Sequence, residues 1–266
     1  AGRAQRSHAV HIKLERHQTS MTTKETRMTP VLHELRGRDD RLRFSPFCWR
    51  ARLALAHKGL AAELVPMLFT DKSPIDFCDS TTVPVLKDAH GVAMDSYDIF
   101  KHLDAHYPDS GDGLLIGDAH AEARLNFVKV YTEQVMAVGF FRLVALDLLA
   151  AIHPDDREYF RTSREARFGM PFEEFNNVEA ARGILDSAFK PLRGLLANQP
   201  FMDGDAPAAA DYLVFGFFIW AHIVSDTSPF GETEDASDPL VQWRERMMDL
   251  HDGMARKAPR ASEIAQ

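Results

Sequence analysis

The sequence contains little cysteine, no cluster of positive charge beyond its first residues, and no long apolar run. Its 266 residues include only two cysteines, Cys48 and Cys78, whose spacing does not match that of zinc ligands. A disulfide framework is therefore excluded, and a reducing, cytoplasmic location is expected. The formal net charge of −8 argues against nucleic-acid binding, which requires a clustered Lys/Arg face.

A membrane-spanning helix needs about 20 consecutive apolar residues, and no run in the sequence is that long. The most apolar stretch, residues 135–152, is interrupted by Arg142 and Asp147. This pattern indicates a helix buried in a soluble protein, so no membrane partner is expected.

Residues 1–29 differ in composition from the rest of the chain. They are rich in Arg, Lys, His and Thr and nearly free of large apolar side chains, and Met21 and Met28 are both candidate start residues. We expect a disordered tail or extension here, with a targeting peptide as the alternative.

Residues 30–107 alternate between short apolar strands and helices. Ser45 and Pro46 suit the first positions of a helix, and Gly59 suits its end. Proline cannot donate a hydrogen bond to a central strand, so Pro84 is expected at a strand start or edge. Strands are predicted at 31–35, 62–69, 82–86 and 92–94, with helices starting after Ser45 and Asp95. This order predicts a thioredoxin-like domain, a mixed sheet with helices on its faces.

After residue 118 the strand pattern stops and helical periodicity follows. The segment 108–117, rich in Asp and Gly, is predicted to link two domains. The second domain is expected to be all-helical over residues 118–259, with a tail at 260–266. Its predicted helices span 121–152, 154–168, 172–198, 208–224 and 239–254. The fold class is therefore expected to be α+β.

Six short motifs link the chain to a known family: Ser45-Pro46-Phe47-Cys48-Trp49-Arg50, Val83-Pro84-Val85, Met94-Asp95-Ser96, Ser163-Arg164-Glu165, Gly204-Asp205 and Ala210-Asp211-Tyr212. With these motifs the chain resembles the glutathione transferase superfamily. It is most similar to bacterial glutathione-dependent lignin β-etherases and fungal etherase-like glutathione transferases. The resemblance covers residues 30 to 259. The Val-Pro and Asp-Ser pairs support only the superfamily, whereas Ser-Pro-x-x-Trp-Arg with Ser-Arg-Glu supports the subgroup.

The resemblance implies that glutathione is the co-substrate and assigns residues to its two ends. A cis bond before Pro84 would let the Val83 backbone pair with the cysteinyl moiety like a neighbouring strand. Asp95 would meet the γ-glutamyl ammonium group. Ser96 would meet the carboxylate, which a helix N-terminus favours. Phe47 is also implied in glutathione binding.

The resemblance assigns Ser45 the task of activating the glutathione thiol. A free thiol has a pKa of about 8.5, so little thiolate exists at neutral pH without help. A hydroxyl hydrogen bond and the helix dipole would stabilise the thiolate. Ser45 and Cys48 also share the frame of a Cys-x-x-Cys motif, but a thiol transferase needs cysteine at the first position. We therefore interpret Cys48 as a buried residue without a catalytic role.

Four aromatic residues of the second domain are candidates for the substrate pocket. Phe140, Phe141, Phe218 and Trp220 would form walls on which a flat aromatic substrate stacks. Aromatic residues at helical spacing also occur as plain core, so both interpretations stay open.

Two further features have structural interpretations. His102 and His106 flank Asp104, and we interpret them as a solvated helix face, so no metal site is expected. Asp211 is expected to accept a hydrogen bond from the Ala208 N–H group. Because Ala208 occupies a position where Ser or Thr would cap the helix, that cap is expected to be half lost.

The leading functional hypothesis is an enzyme that directs glutathione thiolate at an aromatic electrophile, and the subgroup resemblance narrows this to β-aryl ether cleavage. The alternative is a protein that binds hydrophobic aromatic ligands with little or no turnover. The partners expected are glutathione, a small aromatic substrate, and a second copy or a related chain in a dimer.

Overall fold

The computed structural model describes residues 28–264, so most of the predicted N-terminal extension lies outside the described residues. A four-stranded sheet has the order β2-β1-β3-β4. Strand β1 (Val31–Leu35) pairs in parallel with β2 (Glu63–Met67) and antiparallel with β3 (Val85–Asp88). Strand β4 (Gly91–Met94) completes a hairpin with β3. Pro84 lies just before β3, as its missing N–H group requires.

Helices α1 (Pro46–His57) and α2 (Ser96–His106) complete the first domain. Ser45 and Asp95 cap their N-termini with side-chain oxygens, as predicted. Gly59 follows the end of α1 with φ of +62°, a conformation that glycine adopts without strain.

Apart from a short 3-10 helix, Ser73–Ile75, the other helices of residues 28–264 follow the linker, which confirms a thioredoxin-like domain followed by a helical domain. They are α3 (Ala119–Tyr131), α4 (Ala137–Ala151), α5 (Pro154–Phe168), α6 (Phe172–Phe175), α7 (Val178–Leu196), α8 (Ala209–Val224) and α9 (Pro239–Gly253).

The helix predicted over 172–198 is two helices, so that prediction was wrong. Asn177 starts α7 by accepting a hydrogen bond from the Ala180 N–H group at 2.9 Å. Its own N–H group donates to the Arg142 carbonyl at 3.1 Å. These bonds hold the backbone extended between α6 and α7, which periodicity alone does not reveal.

A π-helical turn, Thr132–Met136, joins α3 and α4 into one long helix. This helix, Ala119–Ala151, meets the length and hydropathy of a membrane-spanning helix by composition alone. Of its most apolar segment, 44% is buried inside the protein. Phe140 is fully buried, and a Cβ atom at Gly139 would lie 2.8 Å from Leu185 of α7. These contacts are those of a core helix, the structure predicted for residues 135–152.

Helix α8 joins the two domains, because its middle packs against the start of α1. A Cβ atom at Gly216 would lie only 2.7 Å from the Pro46 carbonyl oxygen. Glycine therefore permits the close approach of the two helices at the residue next to Ser45.

The linker and the C-terminal segment pack more closely than their composition predicts. The Asp112 N–H group donates to the His57 carbonyl at 2.7 Å, and Leu115 is buried. Arg38 donates to the carbonyls of Ala261 and Ile264 at 2.7 and 3.0 Å. Residues 260–264 therefore contact Arg38 of the first domain, and Arg260 donates to the His222 carbonyl of α8. The domain boundaries themselves stay predictions.

Candidate active site

Ser45 lies at the N-terminus of α1, where helical N–H groups point outward. Its hydroxyl oxygen accepts a hydrogen bond from the Cys48 N–H group at 3.4 Å, and the residue is only 4% exposed. The Ser45 hydroxyl also forms a hydrogen bond with the Cys48 side chain, and its proton could turn from that thiol to a stronger, anionic acceptor. The site thus offers an O–H group and a positive helix end to one anionic atom.

Cys48 lies behind Ser45 in the core of the first domain. It is 2% exposed, and burial raises the pKa of its thiol to about 12. A thiol with this pKa supplies almost no thiolate at neutral pH. The prediction that Cys48 is buried is therefore confirmed.

The Val83–Pro84 peptide bond is cis, as predicted. Neither the N–H nor the C=O group of Val83 forms a hydrogen bond with another described residue. The Pro84 carbonyl accepts a bond from the Asp95 N–H group at 3.1 Å, which ties this turn to the start of α2. The backbone of Val83 is thus free to pair with an extended ligand.

Asp95 and Ser96 form the start of α2. Asp95 is exposed, has φ of +74°, and accepts a hydrogen bond from the Tyr97 N–H group at 2.8 Å. Ser96 is 1% exposed, and its Oγ atom has no hydrogen-bond partner among residues 28–264. A buried hydroxyl without a partner at a helix N-terminus is suited to an incoming carboxylate.

Arg50 is a buried residue of the site to which the sequence analysis assigned no role. Its guanidinium donates to the Leu213 carbonyl and to Glu133 at 3.1 and 3.0 Å, and lies 4.7 Å above the Phe47 ring. Burial lowers the pKa of Arg50, and the charges of Glu133 and Asp95 oppose that shift. Arg50 therefore connects the start of α1 in the first domain to the second domain.

The four predicted pocket residues form two pairs. The rings of Phe140 and Phe218 lie 5.0 Å apart, and both residues are buried in the core. Phe141 and Trp220 lie 5.7 Å apart, and the Trp220 Nε1 atom is buried without a partner among the described residues. Only the second pair therefore offers an unpaired polar atom to a ligand.

The pair Phe141 and Trp220 belongs to a longer chain of aromatic contacts that begins beside Ser45. Phe47 contacts Phe217 at a centroid distance of 6.2 Å, and Phe217 contacts Trp220 at 6.0 Å. Phe141 in turn lies 6.3 Å from Phe160 of α5.

A second chain of contacts reaches Phe160 from the other side of Ser45. Phe44 lies 6.4 Å from Phe69, and Phe69 lies 5.2 Å from Phe160. The two chains meet at Phe160 and form one open path of ring contacts, named here the aromatic loop: Phe44, Phe69, Phe160, Phe141, Trp220, Phe217 and Phe47. Ser45 lies at the point in the sequence where this path opens.

Two family profiles match the chain. The profile described as Glutathione S-transferase, N-terminal domain, matches residues 41–111. The profile described as Glutathione S-transferase, C-terminal domain, matches residues 124–250. Together they cover about three quarters of the sequence. The chain belongs to the glutathione S-transferase superfamily. Glutathione is the co-substrate of this superfamily.

Glutathione S-transferase omega-1 of Mus musculus is 25% identical over 186 residues, which are 66% of this chain and 63% of that protein. The glutathione S-transferase-like protein ustS of Aspergillus flavus is 30% identical over 146 residues, 50% of this chain and 51% of that protein. Both matches thus span less than two thirds of the relative. The glutathione S-transferase CsGST83044 of Ceriporiopsis subvermispora, solved in complex with glutathione, has a TM-score of 0.71 at 20% identity. That match covers 84% of this chain and 98% of the other and supports the fold.

His102 and Asp104 of this glutathione transferase chain do not form a solvated face, so that interpretation was wrong for both. His102 Nε2 lies 2.9 Å from Asp88 Oδ2, and the His102 side chain is 11% exposed. Asp104 accepts hydrogen bonds from the linker N–H groups of residues 115 and 116 and pairs with Lys58 at 2.7 Å. His106 is exposed as expected. Asp104 therefore attaches α2 to the linker, and His102 attaches it to the end of β3.

The start of α8 is capped by a residue that the sequence analysis missed. Asp211 accepts a hydrogen bond from the Ala208 N–H group at 3.2 Å, as predicted. However, Asp203 Oδ2 accepts a bond from the Ala210 N–H group at 2.8 Å. Asp203 therefore replaces the absent Ser or Thr cap. The turn that brings it there is not visible in the sequence pattern.

Proposed function

We propose that this chain catalyses attack of glutathione thiolate on an aromatic electrophile, in particular cleavage of a β-aryl ether. The observation that carries the proposal is the position of Ser45, whose hydroxyl lies at the N-terminus of α1 between Phe44 and Phe47, the two ends of the aromatic loop. A thiolate held there would face aromatic side chains on both sides of the helix terminus.

The reaction balances without another co-reactant. The glutathione sulfur forms a bond to the β-carbon, and the carbon–oxygen bond to the phenol breaks. The phenolate leaves with the electron pair and takes up a proton from solvent, leaving a glutathione thioether. Trp220 Nε1–H, buried without a partner among the described residues, is a suitable donor to the departing oxygen.

A thiol-transferase function is disfavoured by the residues at the start of α1. The residue at the start of α1 is Ser45, and Cys48 is buried with a raised thiol pKa. A disulfide-exchange reaction needs an accessible thiolate from the protein.

The experiment is a glutathione-dependence assay with a fluorogenic β-aryl ether, in which release of the phenol is the signal. Phenol release that requires both glutathione and Ser45 supports the proposed ether cleavage. Cys48→Ala is the matched control and should keep this activity. Tight binding of the ether without glutathione consumption would instead support the alternative, a protein that binds aromatic ligands.

We also propose a cytoplasmic dimer, formed with a second copy or a related chain. Both cysteines are free thiols, which suits a reducing compartment. Phe127 and Val130 on α3 are 72% and 59% exposed, and Val92 and Met94 on β4 are each 38% exposed. Light scattering measures the molar mass of the wild type and of Phe127→Glu, which places a charge on this exposed apolar face. A monomeric wild type would contradict the proposed dimer.

A further inference from the structure

Arg164 lies against the aromatic loop at Phe160, two ring contacts from Phe44 and four from Phe47. Its guanidinium carbon is 4.6 Å from the centroid of the Phe160 ring and 5.8 Å from that of Phe69. Phe160 is the residue at which the two chains of aromatic contacts meet. A cation therefore lies against two rings of the aromatic loop, of which Phe160 is buried and Phe69 is partly exposed.

The charge of Arg164 is not neutralised by the protein. Within residues 28–264 no carboxylate lies within ion-pair distance of it, and its side-chain hydrogen bond runs to the neighbouring Ser163 Oγ at 3.0 Å. Arg161, one turn earlier on α5, is by contrast paired with Glu165 and Glu173 at 3.2 and 2.9 Å. Half-burial of Arg164 lowers its pKa, which reflects a cation that lacks a compensating anion.

The surface beneath Arg164 is held in place by Asp156. This fully buried carboxylate accepts hydrogen bonds from the N–H groups of Phe69 and Thr70 at 2.8 and 2.9 Å. It thereby fastens the segment after β2 to the start of α5. The rings of Phe69 and Phe160 are thus positioned by the fold before any ligand arrives.

We propose that Arg164 binds a carboxylate on the aromatic substrate, so that this chain prefers acidic aryl ethers over neutral ones. The proposal rests on the function proposed above. A guanidinium stacked on a ring keeps its edge N–H groups available; in Arg164 Nη1 donates to Ser163 Oγ, and the remaining N–H groups match the two oxygens of a planar carboxylate. The substrate ring would meanwhile lie against the aromatic loop.

The position of Arg164 predicts which kinetic constant it affects. Two ring contacts, from Phe44 to Phe69 and from Phe69 to Phe160, separate it from the residue beside Ser45. A group bound this far from the reacting carbon keeps the same charge in the ground state and the transition state. Its loss should therefore raise KM and leave kcat unchanged.

The kinetic test compares a β-aryl ether that carries a ring carboxylate with its methyl ester. Arg164→Gln should raise KM for the acid about ten- to hundredfold, with kcat and the constants for the ester unchanged. Arg164→Lys should restore part of the effect. Arg167→Gln, which removes an exposed arginine of the same helix, is the control and should change nothing. An equal change for acid and ester, or a fall in kcat for both, would overturn the proposal.

Equilibrium binding separates this proposal from ether cleavage itself. Titration calorimetry with para-phenoxybenzoate and para-phenoxybenzamide, in the presence of glutathione, should show tighter binding of the acid. Arg164→Gln should abolish that preference. If the wild type binds the acid more tightly but cleaves neither of the β-aryl ethers used in the kinetic test, the anion subsite stands and the proposed reaction fails. Equal affinity of the wild type for the two ligands would overturn the proposal that Arg164 binds a carboxylate.

Discussion

The glutathione side and the aromatic side of the site are built differently. On the proposed glutathione side, the backbone of Val83 and the hydroxyl of Ser96 have no partner among the described residues, and the Ser45 hydroxyl lies at a helix end. On the aromatic side, side chains from four separate helices and two loops meet through ring contacts. The first side depends on local backbone geometry, whereas the second depends on packing between distant segments. Substitutions should therefore affect the two sides in different ways.

The largest effect is expected from Ser45→Ala. Its hydroxyl acts on the thiolate and not on the ends of the tripeptide, so kcat should fall roughly tenfold to a hundredfold while glutathione affinity changes little. Steady-state kinetics with varied glutathione measures both quantities. Full activity in the variant would assign thiol activation to backbone N–H groups instead.

Gly216→Ala tests the contact through which α8 positions the start of α1. The new methyl group would lie 2.7 Å from a backbone oxygen, so the helices must separate, at a cost of about 1–3 kcal/mol in the free energy of unfolding. Chemical denaturation measures the loss. Gly194→Ala on α7 is the matched control, since a Cβ atom there meets nothing within 4 Å, and it should not destabilise the chain.

The pH dependence of stability tests the polar contacts at the other end of α1. His57 Nδ1 lies 2.9 Å from Tyr212 Oη, and burial lowers the pKa of both His57 and His251 below 6.5. Both are neutral in the folded state, so the unfolded state binds more protons below pH 6.5. Stability should therefore be full above pH 6.5 and decline as the pH falls. In thermal melts the stability of His57→Asn should fall less steeply with decreasing pH than that of the wild type. An equally steep fall would show that His57 does not cause the pH dependence.

The smallest effect is expected at Ala208. An uncapped helix would gain about 0.5–2 kcal/mol from Ala208→Ser, but Asp203 already supplies a cap here. We expect almost no change in melting temperature for Ala208→Ser and a clear decrease for Asp203→Ala. A substantial gain from Ala208→Ser would show that Asp203 does not perform this role.

The contrast between local backbone geometry and packing of distant segments also explains which features the sequence predicts. Ser45 and Asp95 were identifiable because helix capping is a local property of a few consecutive residues. The thioredoxin-like order of strands followed from periodicity for the same reason. Arg50, Phe217 and Asp203 were missed because their roles depend on contacts between segments far apart in the chain. Arg164 was part of a recognised motif, but its lack of an acidic partner is visible only in three dimensions.

The pKa of glutathione's thiol in the complex tests the central claim most directly. Ultraviolet absorbance of the thiolate, followed in a pH titration of the complex, reports this value for the wild type and for Ser45→Ala. The account predicts a pKa clearly below the value of about 8.5 for a free thiol in the wild type, and a return toward that value in the variant. A wild-type complex whose thiol titrates like free glutathione would contradict the account.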